Sequence, residues 1–174
     1  KEDKFKENVL YAGTDNGLYV SVDSGSNWSR IKNNLPPAPV YWISLQERFD
    51  DMVIGTYGRG IYILDDISPL REMVSRSTKN DHLLPIQDAY RFQTIQAMKS
   101  DGSSLIRGRN PSYGANIDFY LSKKRGQSIF IKIMDKNNEV IRKITIKKFT
   151  KGLNRMMWDL RHEPTTTPKL RVNP

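Results

Sequence analysis

Few side chains in this sequence are of the kinds that do chemistry, and their spacing narrows them further. The 174 residues contain no cysteine and two histidines, His82 and His162. That excludes disulfides, thiolate zinc sites, iron–sulfur clusters and a cysteine nucleophile, and it argues against a histidine-based metal site. His82, in a polar stretch, reads as a loop residue rather than a ligand, and no cofactor is expected. Asp65 and Asp66 are the nearest thing to a glycosidase carboxylate pair. Neighbours on a strand point to opposite sides, so the two cannot flank one substrate bond. No Ser-His-Asp arrangement, phosphate-binding loop or dinucleotide fingerprint occurs. The glycine-rich stretch Gly55–Gly60 lies between strand-like runs rather than opening a helix, which argues against phosphate binding. Within it, Tyr57 and Arg59 are candidates for a ligand rim. A second reading pairs Arg59 with Asp65 or Asp66.

The remaining chemistry is charge. The net charge of +9 is uneven: residues 1–70 carry 7 Lys+Arg against 10 Asp+Glu, and residues 71–174 carry 21 against 9. Lys123, Lys124 and Arg125 stand together at an expected hairpin tip. Lys132, Arg142, Lys143, Lys147, Lys148 and Lys151 lie on or beside expected strands. Such a surface attracts acidic polysaccharide, nucleic acid or an anionic membrane surface. The competing reading is a solvated, lysine-rich face that discourages edge-to-edge aggregation. Nucleic-acid modules interleave stacking aromatics with their charges. Here Phe119 and Phe130 fit core or edge positions, which argues against nucleic acid.

The elements that must position these residues are strands. The segments Val9–Val20 and Met52–Ile63 repeat one plan: an apolar strand, Gly-Thr, a glycine-bearing turn and an aliphatic-Tyr-aliphatic strand. Their period of roughly 40–45 residues, with several short strands per unit, is that of a β-propeller blade. Six strands are predicted: Val9–Gly13, Leu18–Val22, Trp28–Lys32, Val40–Leu45, Met52–Gly55 and Ile61–Leu64. Ser68 and Pro69 read as the N-cap and first residue of a short helix. Strands at Ala89–Thr94, Asn116–Leu121, Ser128–Met134, Val140–Ile146 and Asn154–Leu160 follow from period-two alternation. They predict a small antiparallel sandwich without the Cys–Trp–Cys framework of antibody domains. Trp158 alternates with Met156 and Leu160 and reads as core, while Asp159 and Arg161 fall on the opposite face and pair or fix a turn.

After the first hairpin, Ser21-Val22-Asp23-Ser24-Gly25-Ser26-Asn27-Trp28 fits S-x-D-x-G-x-[T/N]-W. Asp23 is placed to accept hydrogen bonds from turn N–H groups, Gly25 to take a left-handed conformation, and Trp28 to pack against a neighbouring sheet. Asp23 is therefore expected to clamp a turn and not to act as a catalytic acid.

This pattern, with the run Gly55–Leu70, resembles the end of a secreted bacterial Asp-box (BNR, sortilin-like) β-propeller, a family whose members often carry the label glycosyl hydrolase. Family members commonly have His at the position of Tyr57. The residues Asn110–Ala115, Phe119–Leu121 and Gly152–Arg161 are similar to the Ig-like domain that follows the propeller in that family. The resemblance implies an all-β chain: the final blades of a β-propeller over residues 1–67, a helix and linker over 68–88, an Ig-like or fibronectin-III-like sandwich over 89–162, and a Pro/Thr-rich tail over 163–174. It implies an extracellular or cell-envelope protein of bacterial type, with the remainder of the propeller as partner and a glycan or cell-surface protein as ligand. A sialidase-like activity would need arginines, a tyrosine and acids from several blades. Six strands make about one and a half blades where a propeller has 4–8, so the chain is expected to be a piece of a larger protein. No apolar run approaches the ~20 residues of a membrane helix.

Overall fold

The computed structural model describes residues 1–32, 34–76, 78–91, 113–124, 126 and 128–165. Among them the chain is mostly β-strand in small antiparallel sheets, with one short helix. It divides into two compact units, Lys1–Lys79 and Asn80–Pro174.

Unit 1 holds six strands: β1 Leu10–Thr14, β2 Gly17–Ser21, β3 Ser29–Ile31, β4 Val40–Gln46, β5 Asp51–Thr56 and β6 Gly60–Leu64. All six fall where alternation and turn glycines put them, with ends shifted by a residue or two. They form two three-stranded sheets, β1-β2-β3 and β4-β5-β6. The sequence repeat is also a repeat of register. Thr14 pairs with Gly17 and Thr56 with Gly60; Tyr11 pairs with Val20 and Val53 with Ile63. In both hairpins the threonine hydroxyl donates to the glycine carbonyl across the turn, at 3.1 Å and 2.6 Å. A shared local chemistry therefore sets a shared hairpin.

The sheets pack like face to opposite face. Residues paired across antiparallel strands share a side. One side of the first sheet carries Tyr11, Leu18, Val20 and Ile31. It meets the side of the second that carries Ile43, Leu45, Met52, Ile54, Tyr62 and Leu64, and these residues form one apolar core. Gly13 lies on the packed side of β1, where an added Cβ would come within 2.5 Å of the Val40 carbonyl oxygen. The glycine is thus required by close approach of β4 to β1, a role beyond turn-making.

Helix α1, Ser68–Ser75, follows β6 and adds Leu70 and Val74 to the same core, over the buried Ile67. The capping differs from expectation. Ser68 is inside the helix and the N-cap is Ile67, which makes no side-chain cap. Asp66 takes over instead: its Oδ1 accepts from Ser68 N at 3.1 Å and Ser68 Oγ at 2.6 Å. Asp66 has a φ of 53°, and β6 has already ended at Leu64. The Asp65–Asp66 pair therefore sits in the turn into the helix, not on a strand.

Unit 2 holds β7 His82–Leu83, β8 Ala115–Leu121, β9 Ile129–Met134, β10 Val140–Ile146 and β11 Gly152–Trp158. They make a three-stranded sheet, β11-β8-β7, and a two-stranded sheet, β10-β9. Central β8 buries Ala115, Ile117, Phe119 and Leu121, while Ile129, Ile131 and Ile133 of β9 are half-buried on one side. The strand expected from Ala89 is absent over residues 89–91, and the rest of that segment lies outside the described residues. The edge beside β8 is formed by β7, which pairs His82 with Tyr120 and Leu83 with Phe119. His82 is thus a strand residue, stacked on the Tyr120 ring with centroids 5.3 Å apart. Residues 68–88, expected as one connector, are shared: the helix packs with unit 1 and β7 with unit 2.

Candidate functional site

The Ser21–Trp28 turn is closed by its own side chains. Asp23 Oδ1 accepts from Asn27 N at 2.8 Å and from Ser21 Oγ at 2.8 Å, and Asp23 Oδ2 accepts from Asn27 Nδ2 at 2.7 Å. Ser21 Oγ in turn accepts from Gly25 N at 2.8 Å. Ser24 and Gly25 both take left-handed conformations, φ 58° and 89°. The hydrogen bonds from the Asn27 side chain and backbone, then from Ser21, hold the Asp23 carboxyl below its ordinary range. The bonds to Asp23 come from within the turn, so the carboxylate holds the turn closed. Trp28 departs from expectation. It precedes β3 and remains 43% exposed, so it is not sealed between sheets.

Trp28 instead lines an open cleft of about 580 Å³ in unit 1, together with Leu10, Ala12, Gly13, Tyr41 and Trp42. Tyr41 and Trp42 of β4 are exposed, and the Tyr41 ring lies 5.7 Å from the Tyr57 ring, tilted by 58°. Tyr57 is thereby drawn into an aromatic surface that spacing alone did not assemble. The Tyr57 N–H donates to the Pro39 carbonyl at 2.9 Å, which ties the β5–β6 turn to the start of β4. Arg59, in the same turn, is exposed and makes no hydrogen bond or ion pair with a described residue. It does not pair with Asp65 or Asp66.

Alternation and motifs gave no hint of an ionic cluster inside unit 1. Arg71 of α1 donates from Nε to Asp3 Oδ1 and Oδ2, at 2.8 Å and 2.9 Å, and from Nη1 to Asp50 Oδ1 at 2.6 Å. Tyr11 Oη donates to Asp3 Oδ2 at 3.0 Å. The backbone N–H groups of Phe5 and Lys6 donate to Asp3 Oδ1, and the Phe5 ring lies 4.7 Å from the guanidinium carbon. Burial alone would raise the Asp3 carboxyl pKa. The donors Arg71, Phe5 and Tyr11 and the Arg71 charge outweigh it, so Asp3 is held below the ordinary carboxylate range. Burial and the neighbouring Asp3 charge push the Tyr11 phenol up. Burial would lower the Arg71 pKa, and its bonds to Asp3 and Asp50 reverse that. The cluster joins the N-terminal segment, β1, the β4–β5 turn and the helix. With Asp3, Tyr11 and Arg71 buried, the cluster acts as a clip.

In unit 2, Arg155 Nε and Nη2 donate to the buried Asp118 carboxylate at 2.8 Å and 3.1 Å, across the β8–β11 pair. Trp158 is half-buried and its Nε1 donates to the Arg161 carbonyl at 2.9 Å; Arg161 N donates to Asp159 Oδ1 at 3.2 Å. Asp159 thus fixes the turn after β11. Lys123 and Lys124 are exposed beyond β8, and Arg125 lies outside the described residues. Among the described residues, no three His, Asp or Glu side chains gather as a metal site, and no helix is long and apolar enough to cross a membrane. Comparison with known protein families, with curated proteins and with solved structures found no match to this chain.

Proposed function

We propose that the chain is a non-catalytic binding and scaffold segment of a secreted or cell-envelope β-propeller protein, in which unit 1 is the end of the propeller and unit 2 an Ig-like sandwich. The observation that carries the reading is a mismatch between equivalent positions of the repeat. Leu18 and Val20 of β2 are 0% and 7% exposed beneath the second sheet, whereas their equivalents on β6, Ile61 and Ile63, are 74% and 62% exposed. Trp42, on the same open side, is 71% exposed. Sheets that stack face on opposite face continue until something covers the last one. A large bare apolar side is an association surface, and further blades are the covering that the repeat implies. The clamped Asp23 turn supports a structural use of the Asp-box.

Sedimentation of the isolated chain tests this. It should self-associate through the bare side, and Ile61→Lys with Ile63→Lys should return it to a monomer. The chain should not turn over aryl-glycosides or sialosides. A monodisperse monomer with full amide-exchange protection over residues 9–64 would overturn the propeller reading. Glycoside turnover abolished by Arg59→Ala would establish the rival, a propeller-type glycoside hydrolase.

A further inference from the structure

The two connections between the sheets of unit 2 lie at one end of it. Leu121, at the end of β8, pairs with Gly152 at the start of β11. Ile129, at the start of β9, pairs with Ile146 at the end of β10. Residues 122–124, 126 and 128 and residues 147–151 therefore emerge side by side, although residues 129–146 separate them in sequence. Together they carry Lys123, Lys124, Lys147, Lys148 and Lys151, all exposed. None of these lysines makes an ion pair with a described residue.

Among the described residues, several acids of unit 2 are placed elsewhere or already engaged. Asp135 and Glu139 close the β9–β10 hairpin at the opposite end, and Glu163 reaches Lys143 N and Arg142 there. Asp118 is held by Arg155 in mid-sheet. Asp81 adjoins the basic end, with its carboxylate accepting from Ser122 N at 2.8 Å and Ser122 Oγ at 2.7 Å. Ammonium groups gathered without an ion pair to a described residue raise the local concentration of anions.

A cleft of about 550 Å³ opens between the two loops, lined by Gly126, Ser128, Lys147, Lys148, Phe149 and Thr150, with Asn154 at its base. That lies within the ~300–1,000 Å³ of sites that take small ligands. Asn154 holds the second loop in shape: its Oδ1 accepts from Thr150 N, and its Nδ2 donates to the carbonyls of Thr150 and Gly152, each at 2.8 Å. The free chemistry of the cleft is then two hydroxyls, two ammoniums and an aromatic ring.

We propose that this end of unit 2 binds an acidic polysaccharide, a glycan bearing sulfate or uronate groups. Hydroxyls beside a half-buried ring suit a sugar, and separate point charges suit anionic groups spaced along a chain. Nucleic acid would call for a run of exposed aromatic faces between the cations. The exposed ring on β9, Phe130, is instead covered by Lys143, whose Nζ lies 4.6 Å from the ring centroid. The site is independent of how the sheets of unit 1 are covered, so it stands or falls apart from the propeller reading.

The test is binding of the full chain to heparin, a sulfated uronate-bearing glycan, followed by titration calorimetry at several salt concentrations. Lys147→Glu with Lys148→Glu should weaken binding about tenfold or more and flatten its salt dependence. Lys147→Gln with Lys148→Gln should give a smaller loss in the same direction with an unchanged melting temperature. The charge-matched control, Lys132→Glu with Lys136→Glu, lies outside both loops and should leave binding within about twofold. Equal losses in the cleft and control pairs would overturn the site, because net charge alone would then account for binding. Displacement of heparin by single-stranded DNA at equal or lower charge concentration would overturn the glycan assignment.

Discussion

Replacing Arg71 by methionine should come close to unfolding unit 1. The substitution keeps most of the aliphatic stem and removes the charge. Asp3, whose side chain is fully buried, then loses a charge-assisted donor, the Nε–H shared between its two oxygens at 2.8 Å and 2.9 Å, and Asp50 loses one at 2.6 Å. Breaking a buried pair from one side costs about 3–5 kcal/mol, because the remaining charge stays desolvated. Asp3 keeps its bonds from Phe5 N, Lys6 N and Tyr11 Oη, which puts the carboxylate loss toward the lower end. The lost contact with the Phe5 ring adds about 0.5–2 kcal/mol. A total of about 4 kcal/mol is a large share of the ~5–15 kcal/mol that holds an ordinary domain together. For a unit of this size each kcal/mol lowers the melting temperature by about 4–8 °C, so the midpoint should fall by about 15–30 °C.

The pH dependence sharpens the test. In the wild type the Asp3 pKa is depressed. Its stabilisation is complete above the unfolded value of about 3.9 and is lost as pH falls through the lower folded value. Without Arg71, burial pushes the Asp3 pKa up, and protonation relieves the variant. The gap in stability between wild type and Arg71→Met should therefore narrow below about pH 4. The double variant Asp3→Asn with Arg71→Met should be more stable at pH 7 than Arg71→Met alone. Thermal melts followed by circular dichroism from pH 3 to 7 measure all three. A midpoint drop under about 5 °C, or a gap that does not change with pH, would refute the clip.

Three further substitutions probe turns and close approaches. Asp23→Ala should lower the melting temperature and leave heparin affinity unchanged; since the Asp23 pKa is lowered, its difference from wild type should vanish as pH falls through that folded value. Loss of ligand binding without loss of stability would move Asp23 into a functional site. Gly13→Ala should cost about 1–3 kcal/mol through the clash with Val40, while Gly126→Ala, with nothing within 4 Å of the added Cβ, should melt like wild type. Chemical denaturation curves with equal slopes decide both.

Much of unit 1 was legible in its residues because hairpins are local. Period-two alternation located all six strands, and the spacing of Asp23 from Ser21 and Asn27 foretold a turn whose donors and acceptors lie within four residues. The same reasoning failed where a local signal was ambiguous. Ser68 before Pro69 reads as a cap, yet the helix starts one residue earlier, with Ile67 as N-cap and the Ser68 N–H and hydroxyl donated to Asp66. Ala89–Thr94 alternates acceptably, yet residues 89–91 form no strand, and the remainder lies outside the described residues. Composition also carried the basic character of the second half, because charge survives any fold.

Tertiary structure alone decided which sides are covered. Leu18 and Ile61 hold the same place in the repeat, and only the stacking of one sheet on the next buries the first and bares the second. Asp3 and Arg71 stand 68 residues apart, and two carboxylates with an arginine carry no spacing rule until a core brings them within 3 Å. The lysines at 123–124 and 147–151 become one surface because antiparallel register returns both loops to the same end. Local side-chain patterns encode torsions and turn chemistry over a few residues, whereas proximity across a core depends on how whole sheets pack, and many sequences of the same pattern would pack differently.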